Sequence, residues 1–185
     1  MLIADVSGHG VSAAMLTAIV KSSFHDTRAE GYEPLAVVRR ISRAIGSFEA
    51  SRFVTVICAR LCAKDRKLEY VNAGHPNGLL WNDNGDKTLL PGTGPLISPV
   101  FPEAEWEQRS LPLATGDKLF LYTDGVTETL DDRDEFGEKR LFDALQDRPL
   151  RGQELMQHVL STLKRFSGAR PAADDRTLLT ATITT

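Results

Sequence analysis

Residues 116–128 read Gly116-Asp117-Lys118-Leu119-Phe120-Leu121-Tyr122-Thr123-Asp124-Gly125-Val126-Thr127-Glu128. Lys118 to Thr123 has the aliphatic and aromatic density of a strand, and the Asp124-Gly125 pair after it is turn chemistry. A strand that ends on an aspartate holds the carboxylate rigidly and leaves it partly solvated. The same design recurs twice. Leu2-Ile3-Ala4 runs into Asp5-Val6-Ser7-Gly8-His9-Gly10, and Asp174-Asp175 stands just ahead of an apolar run from Leu178 to Ile183.

Working outward from 116–128, Thr115-Gly116-Asp117 joins the quoted strand to another expected over Trp106 to Leu111. Before that lies a Pro- and Gly-rich loop, roughly Pro91 to Pro102. Phe53 to Leu61 and Leu68 to Asn72 read as a hairpin across Ala63-Lys64-Asp65-Arg66. Gly78 to Trp81 and Thr88 to Leu90 read as another, turning at Asn84-Gly85. Helices are expected on either side of this strand-rich middle. One starts near Val11 with an apolar stripe of Met15, Leu16, Ile19, Val20 and Phe24. Gly31 breaks the chain, and Pro34 opens a second helix carrying Leu35, Val38, Ile41, Ile45 and Phe48 on one side. Glu138 to Leu145 and Gln153 to Phe166 have the 3.6-residue period, Ser167 to Ala173 is a loop, and Leu178 to Ile183 is the final strand. The order predicts an α+β fold with helices outside a strongly antiparallel core.

The chain has 185 residues, 42% hydrophobic and 25% charged, with a formal net charge of -3. That length suits one domain, residues 1–185, with a sizeable core. The charge gives no reason to expect nucleic acid or an anionic membrane as partner. No stretch reaches the roughly 20 apolar residues of a membrane span, and the start carries no signal-peptide pattern, so a cytoplasmic protein is expected. Cys58 and Cys62 fall on one strand, roughly 13 Å apart along it, which excludes a disulfide between them and predicts two reduced thiols.

Taken singly, each of the three aspartate motifs is explained by turn chemistry. Taken together, each beside a strand, they point to a site for a hard divalent cation, which takes carboxylate oxygens and keeps several waters. Glycines next to the aspartates allow close approach of the backbone.

Five stretches occur in one order along the chain: Asp5 to Gly10, Tyr70-Val71-Asn72-Ala73-Gly74-His75-Pro76, Gly116 to Glu128, Phe136-Gly137, and Asp174-Asp175-Arg176-Thr177. In these the chain resembles the SpoIIE-type branch of the protein phosphatase 2C superfamily. The resemblance implies a four-layer α-β-β-α sandwich with a binuclear Mn²⁺ or Mg²⁺ site. It implies Asp5 as the ligand shared by both metals, the Val6 carbonyl near one of them, and Asp124 and Asp175 on the first metal, with Asp174 a lesser candidate. The implied activity is hydrolysis of phosphoserine or phosphothreonine without a phosphoenzyme, and the implied partner is a phosphorylated STAS-domain anti-sigma-factor antagonist.

The family also carries strands and a Gly-Gly-Asp segment ahead of the first motif, which here begins at residue 5. The expectation is therefore a weakened or missing second metal. An open sheet edge, through which two copies of the chain could pair as a homodimer, is expected as well. Ile97 stands where many relatives have glycine. His9 and His75 are first read as residues of tight turns, and Glu128 as solvated or outside the ligand set. The alternative to an enzyme is a regulatory or binding module that keeps the fold with little activity. A hydrolase of small phosphoesters is a third reading, separable by its indifference to phosphoprotein.

Overall fold

The computed structural model describes residues 1–82, 84–146, 150–172 and 174–184. The chain divides into two compact units, Met1–Asn77 with Leu90–Leu113, and Gly78–Leu89 with Ala114–Thr185.

The first unit is built on β1 (Leu2–Val6), β2 (Val54–Cys62), β3 (Lys67–Ala73) and a late strand, Arg109–Pro112, which pairs with β3. The pairings between these strands are all antiparallel. The register sets Asp5 opposite Thr55 and Val6 opposite Val54. Two helices, α1 (Gly10–Asp26) and α2 (Pro34–Ile45), pack on this sheet. Proline at its first turn and the Glu33 carboxylate, which accepts from Ala36 N–H at 3.1 Å, start α2 where its stripe requires. Val38, Ile41 and Ile45 are fully buried against Val54, Val56, Cys58 and Val71. The expected stripe on α1 is only partly right: Leu16 and Val20 are buried, but Met15 is 55% exposed. That helix is apolar on more than one side, so periodicity does not say which side meets the sheet.

The second unit has β4 (Gly78–Trp81), β5 (Lys87–Leu90), the strand Lys118–Tyr122 and a last strand, Leu178–Thr182. With the Arg109–Pro112 strand as β6, these last two are β7 and β8, and the sheet order is β5-β4-β7-β8. The β4–β5 turn forms as read: Asn82 Oδ1 accepts from the N–H groups of Asn84 and Asp86, and Gly85 takes φ 92°. Helices α3 (Gly137–Gln146) and α4 (Gly152–Ser167) bury Leu141, Leu145, Leu155, Val159 and Leu163 with Phe120, Tyr122 and Phe136. The loop expected over Ser167–Ala173 starts at the end of α4, and Ala173 lies outside the described residues.

Consecutive strands β6 and β7 do not pair with each other; β6 lies on β3, and β7 lies between β4 and β8. β6 also begins later than the apolar pattern suggests. Trp106 donates its indole N–H to Pro95 O at 2.7 Å, Glu107 N–H goes to Thr93 O, and Gln108 Oε1 accepts from Leu35 N–H. Glu107 thus spends its backbone N–H on the 93–95 loop and not on β3, and the side chains of Trp106 and Gln108 anchor the segment to that loop and to α2 ahead of the strand. Ile97 is an inward anchor: it exchanges both backbone hydrogen bonds with Val54, and its side chain is fully buried in the first core.

Candidate metal centre

In the first unit, β1 delivers Asp5 and Val6 to a turn that the rest of the unit pins in place. Asp5 Oδ1 accepts from Val6 N–H at 2.9 Å. Ser7 is locked to the segment just ahead of β2 by three hydrogen bonds, two to Phe53 and one to Arg52: its N–H donates to Phe53 O, its hydroxyl accepts from Phe53 N–H, and its carbonyl accepts from the Arg52 guanidinium. Gly8 and Gly10 take φ 86° and 78°, a conformation that a side chain resists, and α1 begins at Gly10. Val6, whose carbonyl the resemblance assigns to a metal, is the last residue of β1. His9 is exposed and does not cap α1 with its side chain.

His75 is more than a turn residue. It is 5% exposed, its N–H is held by Asn72 Oδ1 at 2.8 Å, and its Nδ1 lies 2.8 Å from the Thr55 hydroxyl. Thr55 is the residue directly opposite Asp5. Gly74, at φ 69°, packs against Leu96 so closely that any β-carbon would clash with its backbone.

In the second unit, the structure brings together two of the aspartate motifs. Asp124 opens a single 3-10 turn, Asp124–Val126, and its Oδ1 accepts from Gly125 N–H at 2.9 Å. Its carbonyl is taken by Glu128 N–H and the Thr127 hydroxyl. Thr123 then stitches the turn to the segment ahead of β8. Its N–H donates to Thr177 O at 3.2 Å and its hydroxyl accepts from Thr177 N–H at 3.0 Å. The same hydroxyl donates to Asp175 O at 3.3 Å. Arg176 Nε reaches Gly125 O at 3.2 Å, and Asp174 Oδ1 accepts from Asp175 N–H at 2.7 Å. Asp124 is half-buried, while Asp174 and Asp175 are exposed.

Hard oxygen donors on strand-anchored turns suit Mg²⁺ or Mn²⁺ in type. Asp5 belongs to the first unit, and Asp124 and Asp175 to the second. Among the described residues, no group of three or more His, Cys, Asp or Glu side chains converges closely enough to hold an ion.

The sequence profile of stage II sporulation protein E (SpoIIE) matches residues 1–184. The chain belongs to the SpoIIE family. Phosphoserine phosphatase RsbP of Bacillus subtilis (strain 168) is 32% identical over 181 residues, which are 95% of this chain and 43% of RsbP. The chain therefore spans less than half the length of that relative. Among solved structures, the SiaA-PP2C domain of Pseudomonas aeruginosa superposes with a TM-score of 0.84 at 24% identity, over 98% of this chain and 74% of that one. The catalytic domain of the serine threonine protein phosphatase PstP, solved with 2 manganese ions, gives a TM-score of 0.70 at 18% identity, over 100% of this chain and 88% of that one. The α+β fold is that of these phosphatase 2C domains.

Within this SpoIIE-family fold, the supports that sequence reading passed over are Arg52 and Thr123, which hold the aspartate turns, and Thr55, which pairs with Asp5 in the ladder. Thr123 lies inside the quoted 116–128 motif beside Gly125, which was read there as turn chemistry, whereas Arg52 and Thr55 carried no local signal.

Proposed function

We propose that the chain is a phosphoserine/phosphothreonine protein phosphatase domain, residues 1–185, dependent on Mn²⁺ or Mg²⁺. Asp5, Asp124 and Asp175 supply the carboxylates and Val6 a carbonyl. The observation that carries this reading is the Thr123 stitch, which holds the Asp124 turn and the Asp175 segment side by side without using either carboxylate. The name of RsbP and the manganese ions of PstP support it.

When bound, the cations activate a water for attack on phosphorus and neutralise charge on the transferring oxygens. The work of the chain is to keep these carboxylates fixed and accessible. Two of them hold one oxygen on their own turn: Asp5 on Val6 N–H and Asp124 on Gly125 N–H. Asp5 would be the carboxylate shared by both ions, as the family resemblance implies. The substrate is a phosphorylated STAS-domain protein of a partner-switching pathway, in the cytoplasm.

Mn²⁺ calorimetry paired with turnover of a phosphoserine peptide, a phosphorylated STAS protein and an aryl phosphate tests this. Metal-dependent turnover that favours the phosphoprotein is expected, and it should vanish in Asp124→Asn with the fold intact. An Asp124→Asn variant with near-normal turnover would refute the ligand assignment, and equal use of the aryl phosphate would refute the substrate class.

A further inference from the structure

Arg52 sits just ahead of β2 with its backbone fixed at both ends. Its N–H donates to Glu49 O at 2.9 Å, and its carbonyl accepts from the Ser98 hydroxyl at 3.1 Å. From there its side chain reaches Ser7 O at 3.3 Å, in the turn that begins at Asp5. The guanidinium lies so close over Gly8 that a β-carbon there would overlap Nη1. Nε is buried and has no hydrogen-bond partner. Arg40, Arg60, Arg109, Arg140 and Arg170 each pair with a carboxylate. Among the described residues, Arg52 is within ion-pair distance of none.

A half-buried guanidinium that meets only a neutral carbonyl is poorly compensated for its lost hydration. Its planar fork matches the oxygens of a phosphoryl group, and a single backbone carbonyl uses only part of it. The positive end of α1 starts two residues beyond Gly8, with no acid in its first turn. We propose that Arg52 is a phosphoryl-binding residue, held on the Ser7–Gly8 backbone so that guanidinium N–H groups other than the buried Nε receive the anionic oxygens of the phosphorylated side chain. The assignment deepens the phosphatase reading of the Asp5 turn and rests on it for the identity of the anion.

Inorganic phosphate is the probe, titrated into the Mn²⁺-supplemented wild-type chain, Arg52→Met and Arg52→Lys. Binding is followed by calorimetry and, separately, by inhibition of phosphoserine-peptide turnover. Arg52→Met should weaken phosphate about ten- to hundredfold on both readouts, as expected for one lost charge-assisted pair, with Mn²⁺ affinity unchanged. Arg52→Lys should recover part of the loss. Phosphate affinity in Arg52→Met equal to wild type would overturn the proposal. So would a parallel fall of Mn²⁺ affinity and melting temperature in both variants, which marks a structural clamp on the turn. Should Arg52→Met fail to fold, Arg52→Lys decides alone, and undiminished phosphate binding by it overturns the proposal. A wild-type chain that binds phosphate through Arg52 yet turns over no substrate would refute the enzymatic reading and uphold the anion site.

Discussion

Gly125 is in backbone contact with Asp175: a β-carbon on Gly125 would overlap the Asp175 carbonyl oxygen and stand 3.3 Å from Asp174 Cβ. Only the absence of a side chain lets the Asp124 turn and the Asp174–Asp175 segment lie together. Gly125→Ala should therefore push the two apart, at a cost of about 1–3 kcal/mol in a urea melt. A displacement of that kind should lower metal-dependent turnover about a hundredfold. Gly92, with nothing within 4 Å of its would-be β-carbon, is the control, and Gly92→Ala should leave both readouts unchanged. Equal effects at the two glycines would contradict the contact argument.

Glu69, 7% exposed, receives Lys67 Nζ at 2.8 Å and Arg60 Nη2 at 2.5 Å. These partners, Lys67 first, hold its carboxyl down from an ordinary 4.5 to about 2. A depressed carboxylate contributes stability that is complete above the unfolded value and is lost as pH falls toward the folded one. Glu69→Gln should cost about 1–2 kcal/mol at neutral pH, since both cations keep some access to water. In urea melts the gap between the two proteins should close as pH falls from 4.5 to 2. A gap constant across that window would remove Glu69 from the acid response.

Cys58 is fully buried on β2, and burial pushes its thiol up to about 12. Cys62, half-buried at the end of the same strand, is raised by burial and by Glu69, whose Oε2 lies 3.6 Å from its sulfur. Thiolate is the reacting species, so neither should alkylate readily in the native protein at neutral pH. Iodoacetamide mass labelling should show Cys58 protected until denaturant is added and Cys62 slower than a free thiol. Rapid labelling of Cys58 in the native state would mean that β2 opens locally.

What the sequence made legible follows from range. Strands β2, β3, β4 and β7, helix α2 and the Asn84-Gly85 turn announce themselves because their signals lie within a few residues of one another. The facing side of α1 and the late start of β6 did not, because Met15 and Trp106 are decided by contacts with distant segments. The site divides in the same way. The three aspartates were visible as strand-end carboxylates, each with a local signature. Their supports were not: Arg52 meets Ser7 across 45 positions, and Thr123 meets Asp175 across 52.

Thr123 offers the sharpest test of how the second unit holds its carboxylates. It is 5% exposed, and its hydroxyl bonds both Thr177 N–H and Asp175 O. Thr123→Val keeps the shape and removes the hydroxyl, leaving one donor and one acceptor without their partner. That should cost about 1–3 kcal/mol of stability. If Asp175 is a ligand, loosening the backbone behind it should also weaken Mn²⁺ about ten- to hundredfold, the usual effect of losing a group that orients a ligand. Thr123→Ser, which keeps the hydroxyl, should bind Mn²⁺ like wild type. Calorimetry and thermal melts on the same samples separate the two consequences. A Thr123→Val protein that melts lower but binds Mn²⁺ normally would leave the stitch as a structural device and strike Asp175 from the ligand set.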